Sequence, residues 1–169
     1  MMNIKITDNF MPKDVFKEYQ SNIYKIPWTI NPILTSNINV SAILCDEIDN
    51  FRFTHEFYSG NKPVSEYYYK FIEQLLPHIK VRSLIRVKIN ANIKTEKIIK
   101  HGFHIDNNYR DSITSIYYIN TNDGYTEFED GTKVESIENR LITFPTTTYH
   151  CGTTCTNQSL RVLINFNYF

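Results

Sequence analysis

The sequence predicts a mainly β fold with flanking helices (α+β): a jelly-roll barrel buttressed on one side by N-terminal helices. Three observations carry this. The chain has 169 residues, about one domain and enough to bury a core without disulfides or metals. Hydrophobic residues make up 41% and aromatics 14%, with no linker, repeat or low-complexity segment, so one domain is expected over 1–169. The pattern then changes character near residue 80. A helical and strand-bearing buttress (1–80) gives way to a run of short strands (81–169), and antiparallel strands behind a helical part suggest two facing sheets with a pocket between them.

Each element follows from local signals. "MPKDVFKEYQ" reads as a helix with Asp8 or Asn9 as N-cap, and "KPVSEYYYKFIEQLLP" as a second helix opened by Pro63 and closed by Pro77. Between them "FRFTHEFYS" alternates as a strand with Phe51, Phe53, His55 and Phe57 on one face. Beyond residue 80, "VRSLIRVKINANI" is β-branched and partly alternating, and "SITSIYYIN" is a strand stopped at "TNDG". "GYTEFEDGTKVESI" places Asp130-Gly131 as a hairpin turn. "RLITFP" and "LRVLINFNYF" complete the strands.

Charge argues against whole classes of partner. Eighteen basic and eighteen acidic side chains cancel, so no field would gather nucleic acid or an anionic membrane. No apolar run approaches the ~18 residues of a membrane span, and the opening residues lack the order of a signal peptide, so a cytoplasmic protein is expected. Three cysteines, Cys45, Cys151 and Cys155, are read as free thiols rather than a disulfide framework.

Chemistry concentrates in "HGFHIDNNYR", which carries two of the five histidines. In "HIDN", His104 and Asp106 are one residue apart, a spacing that sends both side chains to the same face of an extended backbone. His55, His78, His101 and His150 are candidates for a third ligand. Of these His150 is best placed, in a loop beyond a strand that could fold over the barrel mouth. Two histidines and one carboxylate with open positions suit a non-haem Fe(II) site. Arg161, near the start of the last strand, can offer a guanidinium fork to a distal carboxylate. Cys151 and Cys155 beside His150 could suggest zinc, but a fourth ligand and the paired spacing are absent.

The order His104, Asp106, His150, Arg161 on a jelly roll resembles the 2-oxoglutarate- and Fe(II)-dependent dioxygenases, particularly their prolyl 4-hydroxylase-like branch. "SIYYIN", "RLITFP" and "RVLINFNYF" add to the likeness, which covers roughly residues 81–169 and more weakly "ITDNFMPKDVF". The resemblance implies a double-stranded β-helix (cupin-like barrel), Fe(II) held by His104, Asp106 and His150, and Arg161 on the C5 carboxylate of 2-oxoglutarate. It further implies Tyr118 as a second contact to that carboxylate. Alternation sets Tyr118 and Tyr117 on opposite faces. The implied reaction consumes 2-oxoglutarate and O₂, stimulated in some members by ascorbate, and yields succinate, CO₂ and a hydroxylated substrate.

The sequence departs from the branch where "KINANIKT" lacks a tyrosine before the first histidine, which makes Asn90 or Asn92 the candidate polar contact. Asn167 stands where a nucleic-acid demethylase would carry a second arginine. Asn108, Tyr109 and Arg110 are candidates for a substrate rim, and His101 is read as exposed or behind the ligands. Three functions remain: a hydroxylase of a prolyl residue in a peptide or protein, a hydroxylase of a free amino acid or small metabolite, and a non-catalytic jelly-roll binding module.

Overall fold

The computed structural model describes residues 4–32 and 51–169. In chain order the elements are β1 (Lys5–Thr7), α1 (Lys13–Ile23), β2 (Thr29–Pro32), β3 (Phe51–Ser59), β4 (Lys62–Pro63), α2 (Tyr67–Phe71), α3 (Leu76–Ile79) and β5 (Leu84–Ile93). They continue as β6 (Ile113–Tyr118), β7 (Tyr125–Phe128), β8 (Lys133–Glu135), β9 (Arg140–Pro145), β10 (His150–Gly152) and β11 (Leu160–Tyr168). A major sheet runs β1-β9-β6-β11-β5-β3-β2, with β4 paired to β3, and a minor sheet runs β10-β7-β8. Isolated bridges Lys100–Thr153 and His104–His150 lay the segment between β5 and β6 along the free side of β10. Among the described residues all the strand ladders are antiparallel, and the two sheets face each other as a jelly roll. β1, β2 and β3, all from the first 80 residues, extend the same sheet as the later strands.

Alternation along the central strands divides the interior. On β5, Val87, Ile89 and Ala91 join Val162, Ile164 and Phe166 of β11 in one cluster with helix residues Phe16, Tyr19, Ile23 and Phe71. The intervening Arg86, Lys88, Asn90 and Asn92 point to the opposite face, between the sheets. A smaller apolar cluster there, Ile116, Tyr118, Phe128, Val134, Ile142, Phe144 and Leu163, seals one part of the space between the sheets. Tyr117 lies on the helix side, its ring 5.3 Å from that of Phe10, so the two tyrosines do face opposite ways.

Two helix expectations need correction. α1 buries Phe16, Tyr19 and Ile23 at helical spacing, but neither Asp8 nor Asn9 caps it. Pro12 is the N-cap residue, with no side-chain cap, and Asp8 instead pairs with Arg140, its Oδ1 2.6 Å from Nε. The second stretch is not one helix. Pro63 belongs to β4, and α2, a 3₁₀ turn at Glu73–Leu75 and α3 follow as short pieces. Pro77 sits in the first turn of α3 rather than closing a helix, because the first turn is where its missing N–H costs nothing. Cys45 lies outside the described residues. The hairpin at Asp130-Gly131 forms as expected, with Gly131 at φ +86° and Asp130 Oδ1 accepting from Thr132 N–H at 2.9 Å. Among the described residues no helix is long and apolar enough to cross a membrane.

One buried amide ties the N-terminal segment to the barrel. Asn139 Oδ1 accepts from the Met11 N–H (2.9 Å) and the Tyr117 hydroxyl (2.8 Å), and its Nδ2 donates to the Met11 carbonyl (2.8 Å). Its φ of +61° is one that asparagine tolerates better than most residues. Asn139→Ala leaves three buried partners unmet and is expected to cost about 3 kcal/mol in urea unfolding.

Candidate metal centre

His104, Asp106 and His150 offer ligand atoms that all lie within 4.8 Å of one another. His104 comes from the extended segment along β10 and His150 opens β10 itself, their backbones bonded N–H to carbonyl in both directions at 2.9 and 3.0 Å. The expectation of a loop for His150 is thereby corrected: it is a strand residue pinned between two neighbours, opposite Phe128 of β7. A strand end offers more rigid placement than a loop. The rings of His104 and His150 lie 4.6 Å apart at 46°.

The tautomers favour a cation. His104 Nδ1 lies 3.0 Å from the Gly102 carbonyl and His150 Nδ1 2.9 Å from the Thr148 carbonyl. A carbonyl can only accept, so each Nδ1 carries the proton and each Nε2 presents a lone pair. Asp106 is oriented by three donors to Oδ2: Thr114 Oγ1 at 2.9 Å, Asn165 Nδ2 at 3.1 Å and Asn167 Nδ2 at 3.0 Å. Its Oδ1 lies 3.9 Å from His104 Nε2 and 3.7 Å from Arg86 NH2. Burial alone would raise the Asp106 pKa, but the histidines, the Asn165 hydrogen bond and Arg86 hold it below the usual carboxylate range. Burial, then His150, push His104 down toward its neutral, ligating form. Two imidazole nitrogens and one carboxylate fit a divalent first-row metal with positions left over for other ligands.

Deeper in the same cavity, which holds about 290 Å³, lies Arg161 with no exposed surface. Its Nε donates to Ser136 Oγ (2.7 Å), NH2 to Thr126 Oγ1 (3.2 Å) and NH1 to the Thr153 carbonyl (3.5 Å). The guanidinium sits over the Tyr118 ring at 5.6 Å, and the Tyr118 hydroxyl donates to the same Thr126 Oγ1 at 2.8 Å. Burial lowers the Arg161 pKa and raises that of Tyr118. No carboxylate offsets the Arg161 charge among the described residues. Gly124 makes room for it: a Cβ there would come within 2.6 Å of Arg161 Cδ and of the Thr154 carbonyl.

The other histidines divide. His55 is bound on both nitrogens, to the Pro27 carbonyl and Ser65 Oγ, each at 2.8 Å, and His78 packs near Phe10; neither is near the cluster. His101 is neither exposed nor a ligand in this group. It is buried and lines the cavity, its Nε2 without a partner, and burial beside Arg52 and Arg161 pushes its pKa down to about 3. Asn90 and Asn92 line the cavity, with Asn92 Nδ2 donating to the Thr153 carbonyl at 3.2 Å. Asn108, Tyr109 and Arg110 are exposed and do not line it, Arg110 facing solvent beside Asp111. The Cys151 and Cys155 thiols are free and buried, and burial raises both pKa values, so neither is a ready thiolate. Sequence reasoning missed Arg52, Arg86 and Lys88 on the cavity wall. The strict alternation of "RVKINANI" places the latter two on one face with Asn90 and Asn92, without telling which side of the sheet that face looks to.

His101 makes stability sensitive to acid. Below roughly pH 6.5 the unfolded chain binds a proton that the folded chain refuses, so stability falls as pH falls toward the folded value of about 3. Asparagine at this position removes that cost. Between roughly pH 6.5 and 5, His101→Asn should gain on the parent by about 1 kcal/mol per pH unit in urea unfolding.

No family model and no curated protein matches the chain. Solved structures do. A Pseudomonas putida prolyl-4-hydroxylase superposes with a TM-score of 0.61 at 14% identity, covering 99% of this chain and 93% of that one. A 2OG-Fe(II) oxygenase family oxidoreductase from Burkholderia pseudomallei gives 0.68 at 11% identity, with 98% and 84% covered. HygX from Streptomyces hygroscopicus, solved with nickel, 2-oxoglutarate and hygromycin B bound, gives 0.60 at 10% identity, with 99% and 82% covered. This chain therefore has the double-stranded β-helix fold of the 2-oxoglutarate- and Fe(II)-dependent oxygenases, prolyl-4-hydroxylases among them.

Proposed function

We propose that this chain is an Fe(II)- and 2-oxoglutarate-dependent dioxygenase that hydroxylates a C–H bond, with a prolyl residue of a peptide or protein as its substrate. The observation that carries the reading is Arg161: a fully buried guanidinium without a carboxylate among the described residues, in the same cavity as two histidines and an aspartate. Such a charge is costly unless a ligand supplies its counter-ion. A dicarboxylic keto acid would do so at one end while reaching the metal with the other.

Within this reading each residue has a stated task. His104 and His150 present neutral Nε2 atoms held by their backbone hydrogen bonds, and Asp106 supplies the anionic ligand. Arg161 fixes the distal carboxylate of 2-oxoglutarate, and Tyr118, whose hydroxyl proton goes to Thr126 Oγ1 beside the guanidinium, becomes the second donor to that group on turning from Thr126. Bound iron with 2-oxoglutarate and O₂ supplies the oxidising power, which no side chain here could provide. Similarity to prolyl-4-hydroxylases supports the prolyl substrate. A small metabolite is the second reading, supported by the modest cavity and by a neighbour of this fold that binds hygromycin B.

Incubation with Fe(II), ascorbate and labelled 2-oxoglutarate should release succinate, and proline-rich peptides should stimulate that release. His104→Ala should lower turnover by about 100-fold or more, since it removes a metal ligand. Absence of turnover with every peptide and small molecule would favour the non-catalytic module. Arg161→Met should stay folded and still bind Mn(II), yet lose the rise in melting temperature that 2-oxoglutarate gives the parent. A retained rise would place the keto acid elsewhere.

A further inference from the structure

The wall of the cavity nearest Asp106 is cationic beyond what metal and keto acid need. Arg52 of β3 and Arg86 and Lys88 of β5 all line it, close enough to one another that the two arginines act on the Lys88 amine. Burial first, then Arg52 and Arg86, pull Lys88 down to about 8. Arg52 Nε is buried with no hydrogen-bond partner among the described residues. Among the described residues two carboxylates touch this group. Arg86 lies 3.7 Å from Asp106 Oδ1, an atom of the proposed metal site. Glu56 stands across the ladder from Lys88, exposed, and takes a hydrogen bond from Ser59 at 3.2 Å. It offsets Lys88 only in part.

Charge counting then points to a ligand. Among the described residues the lining holds four cations, Arg52, Arg86, Lys88 and Arg161, and one carboxylate, Asp106. If a divalent metal and a dianionic keto acid are added, their charges cancel and three positive charges remain unbalanced. Like charges gathered in a half-enclosed cavity repel, and that cost is recovered when an anion binds among them. The keto acid cannot serve here, since its distal carboxylate is proposed to lie at Arg161.

We infer that Arg52, Arg86 and Lys88 form a binding site for an anionic group of the substrate, a carboxylate or a phosphate, seated beside the metal. This rests on the oxygenase reading and narrows its substrate: the molecule oxidised carries clustered anionic oxygens close to the C–H bond that reacts. An uncharged prolyl segment would leave the three cations unmatched. A free acid, or a peptide with an acidic group next to the target, would match them.

The test uses the full chain saturated with Mn(II) and 2-oxoglutarate, so that Arg161 is already occupied. Calorimetric titration at fixed ionic strength compares N-acetyl-L-proline, its uncharged amide and inorganic phosphate. At least one of the two anions should bind about tenfold or more tightly than the amide. The tighter anion tells carboxylate from phosphate. An Arg52→Gln/Lys88→Gln double variant should erase the preference while binding Mn(II) and 2-oxoglutarate like the parent; Arg86 is left in place because it touches Asp106. Equal binding of amide and anions, no binding of either anion, or a preference that survives in the double variant overturns the proposal. If the parent binds neither Mn(II) nor 2-oxoglutarate, the oxygenase reading falls and this site falls with it, whereas failure of the anion arm alone leaves that reading standing.

Discussion

The structure depends on a division of labour between the two faces of the major sheet. Every second residue of β5 and β11 packs under the helices, and that outer core, from Phe16 to Phe166, is where most of the large apolar side chains gather. Because the hydrophobic effect acts there, the inner face is released from it and can hold arginine, lysine and asparagine instead. A barrel whose stability came from its own lumen would have no room for a polar cavity. The helices act as the second layer that makes a wet interior affordable.

Within that interior the polar groups differ in burial. Arg161 and Tyr118 are fully buried and share Thr126 as a partner, where burial strengthens every electrostatic contact. The histidines and Asp106 are fixed from three sides: by the backbone carbonyls behind each imidazole, by the ladder to β7, and by Asn165 and Asn167 of β11 reaching the carboxylate. Asn167, which in the sequence only argued against an arginine, thus has a positive role in aiming Asp106. The three side chains, two from the segment between β5 and β6 and one from β10, converge because each is tied to a neighbour rather than free to swing.

Much of this was legible in the chain. Strand patterns at β3, β6, β9 and β11 follow from alternation and turn residues, and the His104/Asp106 pair follows from a spacing of two on extended backbone. Other features were not legible for physical reasons. The stretch around Pro77 has helical composition throughout, and only tertiary packing decides that it breaks into short turns. His101 looks like a loop histidine because burial here is imposed by β10 and Arg161, which are distant in sequence. Alternation in "RVKINANI" reveals two faces but not which one looks inward, since both are covered. The polar face would ordinarily be assigned to solvent.

Gly124 lies away from the histidine and aspartate cluster, against Arg161 and Thr154. Its bare backbone lets the aliphatic stem of Arg161 lie against the chain. A methyl group there would have to displace the stem or the Thr154 carbonyl, and a displaced stem would shift the guanidinium from its partners Ser136 and Thr126. In the proposed function, the gap between the guanidinium and the His104, Asp106 and His150 cluster is the span that 2-oxoglutarate would fill. Under that reading, a hydrogen atom in place of a side chain works as a ruler for the acid, because it fixes where the guanidinium sits.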